Sequence, residues 1–103
     1  MIRLIEDHRS ELINICIKYH VQYLALFGSA VANERFDTET SDFDFLVEFK
    51  PLEQGRYADT YFGLLEALED LFERPVDLLM VRAIKNPYFI QTINQTRELL
   101  YAA

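Results

Sequence analysis

The segment from Asp42 to Phe49 alternates between the two sides of an extended chain and predicts a β-strand. One side carries only apolar side chains, namely Phe43, Phe45, Val47 and Phe49. The other side begins with Asp42 and Asp44, about 7 Å apart along the strand. The strand is therefore expected to lie with its phenylalanine side against a hydrophobic core and its aspartates on the opposite side.

A helix, a strand and a loop are predicted before this strand in the chain. Residues 8–19 predict a helix. Its expected buried stripe is Leu12, Ile13, Cys16 and Ile17. Cys16 is the single cysteine of the chain and is expected to be an inert core residue. The apolar run 23–27 predicts a buried strand that ends at Gly28-Ser29, and the polar residues 34–41 predict a loop.

The second half of the chain predicts a helix, a strand and a further helix. Residues 57–73 have apolar side chains at helical spacing and end before Arg74-Pro75. Their expected solvated face is Glu66, Glu69, Asp70 and Glu73. Residues 76–81 predict a strand, and Asn86-Pro87 predicts an N-cap before a helix that reaches about residue 96. Residues 97–101 fit either a short final strand or an extended tail.

This order of elements predicts a small α/β (α+β) domain, with helices packed on one mixed β-sheet and residues 1–103 in a single domain. If the first two strands are antiparallel neighbours, the end of the first, at Ser29, meets the start of the second. The helix of residues 57–73 is long enough for a crossover, so the third strand can lie parallel to the second. Asp77 then lies beside Asp42 and Asp44.

These residue types suit phosphate and metal binding. Gly28 lets a backbone pass close to a ligand, and backbone N–H groups after Ser29 could hold a phosphate. Asp42, Asp44 and Asp77 are hard oxygen ligands of the kind that Mg²⁺ takes. Each piece also has an ordinary explanation: a plain turn, solvated aspartates, and a salt bridge from Asp77 to a neighbouring arginine, Arg74 or Arg82.

The charge and hydropathy of the chain limit the kinds of partner and the cellular location that are expected. Ten basic and 17 acidic side chains give a net charge of −7, which opposes binding to long nucleic acid. No apolar run approaches the roughly 20 residues of a membrane span, so no membrane partner is expected. The N-terminus becomes acidic too early for a signal peptide, and a lone cysteine fits a reducing interior, so a cytoplasmic location is expected.

Taken together, the motifs resemble those of the polymerase-β-like nucleotidyltransferases. The resemblance rests on Gly28-Ser29, on Asp42-Phe43-Asp44 after twelve intervening residues, and on Val76-Asp77-Leu78. In size the chain resembles the minimal nucleotidyltransferase (MNT) group, whose members are often antitoxins paired with HEPN-domain toxins. Many relatives have an arginine and a glycine just after Gly-Ser, where this chain has Ala30-Val31-Ala32-Asn33.

The resemblance implies a nucleotidyltransferase fold and transfer of AMP from ATP to a hydroxyl, by analogy a tyrosine of a HEPN toxin. It assigns two Mg²⁺ ions to Asp42, Asp44 and Asp77, and the nucleotide phosphates to Gly28 and Ser29. Since so short a chain has only a shallow cleft, a partner is expected to complete the site in a homo- or hetero-oligomer.

Two rival functions are compatible with the same residues. A catalytically weak or inactive protein of this fold could neutralise its partner by direct binding, as the missing arginine after Gly-Ser suggests. An Asp-x-Asp glycosyltransferase is a more distant alternative, because such enzymes need a larger sheet and an acceptor domain.

The aromatic side chains Tyr57, Tyr61, Tyr88 and Phe89 are expected to pack in the core, and His8 and His20 to lie on the surface.

Overall fold

A computed structural model of the chain describes residues 3–27 and 43–103. The helices are α1 (Arg3–Asp7), α2 (Arg9–Lys18), α3 (Tyr57–Phe72) and α4 (Pro87–Thr96). The strands are β1 (Val21–Phe27), β2 (Phe43–Phe49), β3 (Val76–Met80) and β4 (Glu98–Ala102). A short 3₁₀ turn, Val81–Ala83, follows β3. Each predicted element of the described residues is confirmed, and the C-terminal segment forms a strand.

The four strands form one mixed sheet in the order β3-β2-β1-β4. β1 runs antiparallel to both β2 and β4, and β2 runs parallel to β3. The predicted strand directions are therefore confirmed, and α3 is the crossover that allows β2 and β3 to be parallel. The chain has the α+β architecture that the sequence predicts.

One side of the sheet, called here the main face, carries the phenylalanine side of β2 and is covered by α1, α2 and α3. Its buried cluster comprises Ile5, Leu12, Cys16, Val21, Leu24, Leu26, Phe43, Phe45, Val47, Phe49, Leu64, Leu68, Phe72, Leu78 and Leu100. Phe72 of α3 stacks on Phe45 with ring centroids 6.0 Å apart and meets Phe43 edge-on at 5.1 Å. This is the larger core, as the alternation of β2 predicts.

The opposite side of the sheet, called here the carboxylate face, carries Asp44 and Asp77 and a smaller buried cluster. That cluster comprises Ala25, Phe27, Leu46 and Ile93. Ile93 comes from α4, so this helix covers only part of the face. Among the described residues, α1, α2 and α3 cover the main face, whereas α4 is the one helix on the carboxylate face.

The predicted burial is wrong for three side chains on the helices. Ile17 is 62% exposed, because the stripe of α2 that meets the sheet is set by Leu12 and Cys16, and the next residue is turned by about 100°. Tyr88 is 80% exposed, because α4 meets the sheet only partway along, at Ile93. Phe89 is 40% exposed, so it too lies largely outside the core.

Among the other side chains, Tyr57, Tyr61 and Cys16 lie where the sequence predicts, and His8 does not. Tyr57 and Tyr61 pack against the main core, as expected. Burial raises the pKa of the Cys16 thiol to about 12, which confirms an inert core cysteine. His8 was expected on the surface, but it is half-buried, with its ring Nδ1 2.9 Å from the Leu4 carbonyl oxygen.

The acidic side of α3 is not purely solvated. Glu66, Asp70 and Glu73 are at least partly exposed, but a carboxylate oxygen of Glu69 accepts a hydrogen bond from the Val76 N–H at 3.3 Å. Glu69 thus ties α3 to the start of β3. The helix ends at Phe72, and the next residue, Glu73, has a left-handed φ of 54° that turns the chain before Arg74-Pro75.

Candidate active site

Two of the predicted carboxylates lie side by side. Asp44 and Asp77 are register partners on the parallel strands β2 and β3 and project from the same face of the sheet. Neighbouring strands are about 4.8 Å apart. On its other side Asp44 is the register partner of Phe27, the last residue of β1. Asp44 is half-buried and Asp77 is exposed.

The structure describes only part of the predicted site. Gly28, Ser29 and Asp42 lie in residues 28–42, outside the described residues. The strands on either side of that interval end at Phe27 and begin at Phe43, and they pair with each other. The roles assigned to the three residues stay predictions.

The salt-bridge alternative for Asp77 has no support in the described residues. The Arg74 guanidinium lies 4.8 Å from the centroid of the Phe43 ring, and its Nε donates to the Phe72 carbonyl at 3.3 Å. Arg82 lines a different cleft, with Glu48. Across residues 3–27 and 43–103 the structure records no ion pair to Asp77.

The negative charge of Asp77 affects the pKa of the Tyr61 hydroxyl. Burial, and in second place the negative charge of Asp77, raise the pKa of Tyr61. The Tyr61 hydroxyl donates a hydrogen bond to the carbonyl oxygen of Leu78. Tyr61 therefore stays protonated and braces the strand that carries Asp77.

Asp77 opens onto a cleft of about 520 Å³. The cleft is lined by Asp77, Leu79, Ala83, Ile84, Lys85, Asn86 and Phe89. The Phe89 ring meets the Phe27 ring edge-on, with centroids 6.1 Å apart and planes at 90°. The volume of the cleft falls within the usual range for small-molecule sites.

The start of α4 is fixed beside this cleft by its cap. The Asn86 side-chain oxygen accepts hydrogen bonds from the Tyr88 N–H at 2.9 Å and the Phe89 N–H at 3.4 Å. Pro87 occupies the first turn, as predicted. The sequence located this cap, but no local signal showed that Lys85 and Phe89 would lie beside Asp77.

The donor chemistry fits a hard divalent cation. Asp44 and Asp77 supply carboxylate oxygens from adjacent strands, and two such anions in register favour a cation between them. In the part of the chain that the structure describes, no three metal-binding side chains cluster. A third carboxylate would have to come from outside that part, where Asp42 directly precedes β2.

This fold and carboxylate pair define a class of protein. The family described as "Polymerase beta, Nucleotidyltransferase" matches residues 10–103. The chain belongs to this family and is a nucleotidyltransferase.

One curated relative and two solved structures are similar to this chain. A Methanocaldococcus jannaschii protein named "putative protein adenylyltransferase" is 44% identical over 84 residues, 82% of this chain and 79% of the relative. A solved structure described as a "putative minimal nucleotidyltransferase" is 26% identical, with a TM-score of 0.71, and the match covers 91% of this chain and 90% of that one.

The second solved structure is a complex of a tri-AMPylated Shewanella oneidensis HEPN toxin with an MNT antitoxin. A chain of this complex matches with a TM-score of 0.63 and 18% identity, over 95% of this chain and 72% of that one. This likeness concerns the fold.

No helix in residues 3–27 and 43–103 combines the length and apolar character needed to cross a membrane.

Proposed function

We propose that the chain is an antitoxin that transfers AMP from ATP to a hydroxyl of a partner protein and thereby neutralises a HEPN-domain toxin. The observation that carries this proposal is the pairing of Asp44 with Asp77 on parallel strands. The adenylyltransferase name of the archaeal relative and the AMPylated toxin in the similar complex support the choice of nucleotide and partner. We further propose that residues 1–103 form one domain that acts as a unit.

The roles of the residues derive from their chemistry. Asp42, Asp44 and Asp77 would hold two Mg²⁺ ions, which when bound supply charge neutralisation for the attacking and leaving oxygens. Gly28 and Ser29 would hold the phosphates through backbone N–H groups and the serine hydroxyl.

We assign the deprotonation of the acceptor to Asp77. Asp77 is exposed and lines the cleft, so its carboxylate could accept the proton of an acceptor hydroxyl. The acceptor oxygen then forms a bond to the α-phosphorus, the bond between that phosphorus and the bridging oxygen breaks, and pyrophosphate leaves. AMP stays on the acceptor.

The test is label transfer from α-³²P-ATP, in the presence of Mg²⁺, to a HEPN-domain protein encoded beside this chain. Asp44→Asn and Asp77→Asn are each expected to reduce the transfer rate by roughly 100-fold or more, since each removes a carboxylate from the reacting centre. Glu48→Gln is the matched control, because Glu48 is an exposed carboxylate on the same side of β2. Thermal unfolding checks that all three variants fold.

Two outcomes would overturn the proposal. Transfer that persists in both aspartate variants would place the chemistry elsewhere. Inhibition of the toxin without label, unchanged in Asp44→Asn, would favour direct binding, the alternative that the Ala30-Val31-Ala32-Asn33 sequence suggests.

A further inference from the structure

The strand that carries Asp77 is held by the rest of the sheet on one side only. Among the described residues the strand order is β3-β2-β1-β4, so β3 pairs with β2 alone. An edge strand leaves the N–H and C=O groups of its outer side without ladder partners, and the ends of a strand open most easily. Asp77 is the second residue of this five-residue strand. The pairing with β2 therefore constrains the place of Asp77 beside Asp44 only from one side.

Two side chains of α3 bind the outer side of this strand. A carboxylate oxygen of Glu69 accepts a hydrogen bond from the Val76 N–H at 3.3 Å. The Tyr61 hydroxyl donates a hydrogen bond to the Leu78 carbonyl oxygen. Backbone groups two residues apart on a strand point to the same side, so both hydrogen bonds lie on the same edge of β3. Asp77 is the residue between them.

The same helix also contacts the residues on either side of Asp44. The Phe72 ring meets the Phe43 ring edge-on, with centroids 5.1 Å apart. It stacks on the Phe45 ring with centroids 6.0 Å apart, and all three rings are buried. Helix α3 thus holds the chain neighbours of both carboxylates, through aromatic packing under β2 and through hydrogen bonds at the edge of β3.

We propose that Tyr61 and Glu69 are positioning residues, which fix the Asp77 carboxylate at its distance from Asp44; this inference rests on the proposed function. Without either hydrogen bond, the start of β3 could move relative to β2 while the core under β2 stays intact. A misplacement of about 1 Å between groups that act together can lower a rate roughly 100-fold. Residues that orient metal ligands typically change metal affinity by roughly 10- to 100-fold.

The chemistry of both side chains suits this role. Tyr61 is half-buried and packs against the main core. Burial, and in second place the negative charge of Asp77, raise the pKa of Tyr61, so its hydroxyl remains a donor at neutral pH. Glu69 is half-buried, and an ionised carboxylate is a stronger acceptor for a backbone N–H than a neutral amide oxygen.

Matched variants separate positioning from a purely structural role, in which the two hydrogen bonds only stabilise the fold. Tyr61→Phe removes the hydroxyl and keeps the ring. Its control is Tyr57→Phe on the same helix, because the Tyr57 ring also packs against the main core and its hydroxyl accepts from the Leu52 N–H at 3.0 Å. Glu69→Ala removes the carboxylate acceptor, and Glu69→Gln keeps an oxygen there. Glu66→Ala, at an exposed carboxylate of α3, is the second control.

Amide hydrogen exchange tests the two hydrogen bonds without ATP, metal or partner. The N–H groups of Asp77 and Leu79 alternate with those of the outer edge and point toward β2, so their exchange reports how firmly the two strands are paired. Their exchange rates, divided by that of Leu26 on β1 to remove any global loss of stability, are expected to rise about 10-fold in Tyr61→Phe and Glu69→Ala. Both controls should keep the wild-type ratio.

Metal binding and label transfer then test whether this support matters to the carboxylate pair. The dissociation constant of Mn²⁺, measured by calorimetry without nucleotide, is expected to rise about 10-fold in Tyr61→Phe and Glu69→Ala. In label transfer from α-³²P-ATP at saturating Mg²⁺, kcat is expected to fall about 10-fold while the KM for ATP changes less than about 2-fold. Glu69→Gln should recover most of both losses, and the two controls should match the wild type.

The results that overturn the positioning role are distinct from those that overturn the proposed function. Wild-type exchange ratios in the folded Tyr61→Phe variant, or losses of equal size in Tyr57→Phe, would show that these bonds do not position Asp77. Faster exchange with unchanged Mn²⁺ affinity would reduce them to protection of a sheet edge.

Two results concern the wild type itself. Failure of the wild type to transfer label would overturn the proposed function alone, because the exchange ratios and Mn²⁺ affinities still decide the positioning role. A wild type that binds no Mn²⁺ would overturn both, since Asp77 would then share no ligand with Asp44. If Glu69→Ala does not fold, Tyr61→Phe decides the outcome.

Discussion

The two faces of the sheet are built from the same strands but serve different ends. The main face buries its side chains under three helices, and eleven side chains of the described residues are almost completely inaccessible there. In the described part of the chain, the carboxylate face buries three strand residues against Ile93 of α4, and Asp77 is exposed and lines a cleft. Alternation along each strand makes this division possible, because successive side chains point to opposite faces.

The difference shows which face stabilises the fold and which face would carry the proposed chemistry. A closed apolar face contributes most of the free energy of folding, since apolar burial is the dominant favourable term. The partly open face can hold two like charges and a cleft because the other face compensates for their cost. Glu69 and Tyr61 of α3 connect the two, since each hydrogen-bonds to the strand that carries Asp77.

The largest effect is expected from truncating the main core. Phe45→Ala removes a ring that stacks on Phe72, and should lower the free energy of unfolding by about 3–5 kcal/mol. Ile93→Ala on the carboxylate face should cost only about 2 kcal/mol, because the buried cluster that the described residues form there is smaller. Urea denaturation of both variants measures the difference. Equal losses of unfolding free energy in the two variants would contradict the contrast drawn between the two faces.

A smaller effect on stability is expected from the buried Cys16 thiol, and it depends on pH. Burial raises the pKa of the Cys16 thiol from its ordinary value of 9.0 to about 12, so the folded state keeps its proton where the unfolded state loses it. Stability contributed by this thiol is full below the unfolded pKa and is lost as pH rises toward the folded pKa. The difference in unfolding free energy between wild type and Cys16→Ala should fall by about 1.4 kcal/mol from pH 8 to pH 10. A difference independent of pH would mean that the thiol is hydrated.

The smallest effect is expected at the cap of α4. Asn86→Ala removes the acceptor for two backbone N–H groups and should destabilise the protein by about 1 kcal/mol. Amide hydrogen exchange at Tyr88 and Phe89 should quicken, whereas Gln91→Ala, an exposed site on the same helix, should leave both unchanged. Unchanged exchange in Asn86→Ala would show that packing at Ile93, and not the cap, positions this edge of the cleft.

Several features of the fold were predictable because their causes are local. The phenylalanine alternation of β2 defines its buried side, and the Asn86-Pro87 pair marks the start of α4. The exposure of Ile17 and Tyr88 was not predictable, because an apolar residue on a helix is buried only if another element reaches it. The site roles of Gly28, Ser29 and Asp42 stay predictions.

The sequence by itself determined most of the helices and strands, apart from α1 and the choice between strand and tail at residues 97–101, and it determined that Asp44 lies opposite the phenylalanines. These features were predictable because side-chain period and capping depend on near neighbours. Only the tertiary structure decided that Phe89 and Lys85 lie beside Asp77. That placement depends on α4 packing onto Phe27 and Leu46, contacts between residues far apart in the chain. Such contacts depend on the free energy of the whole fold, so they cannot be predicted from any short segment of the sequence.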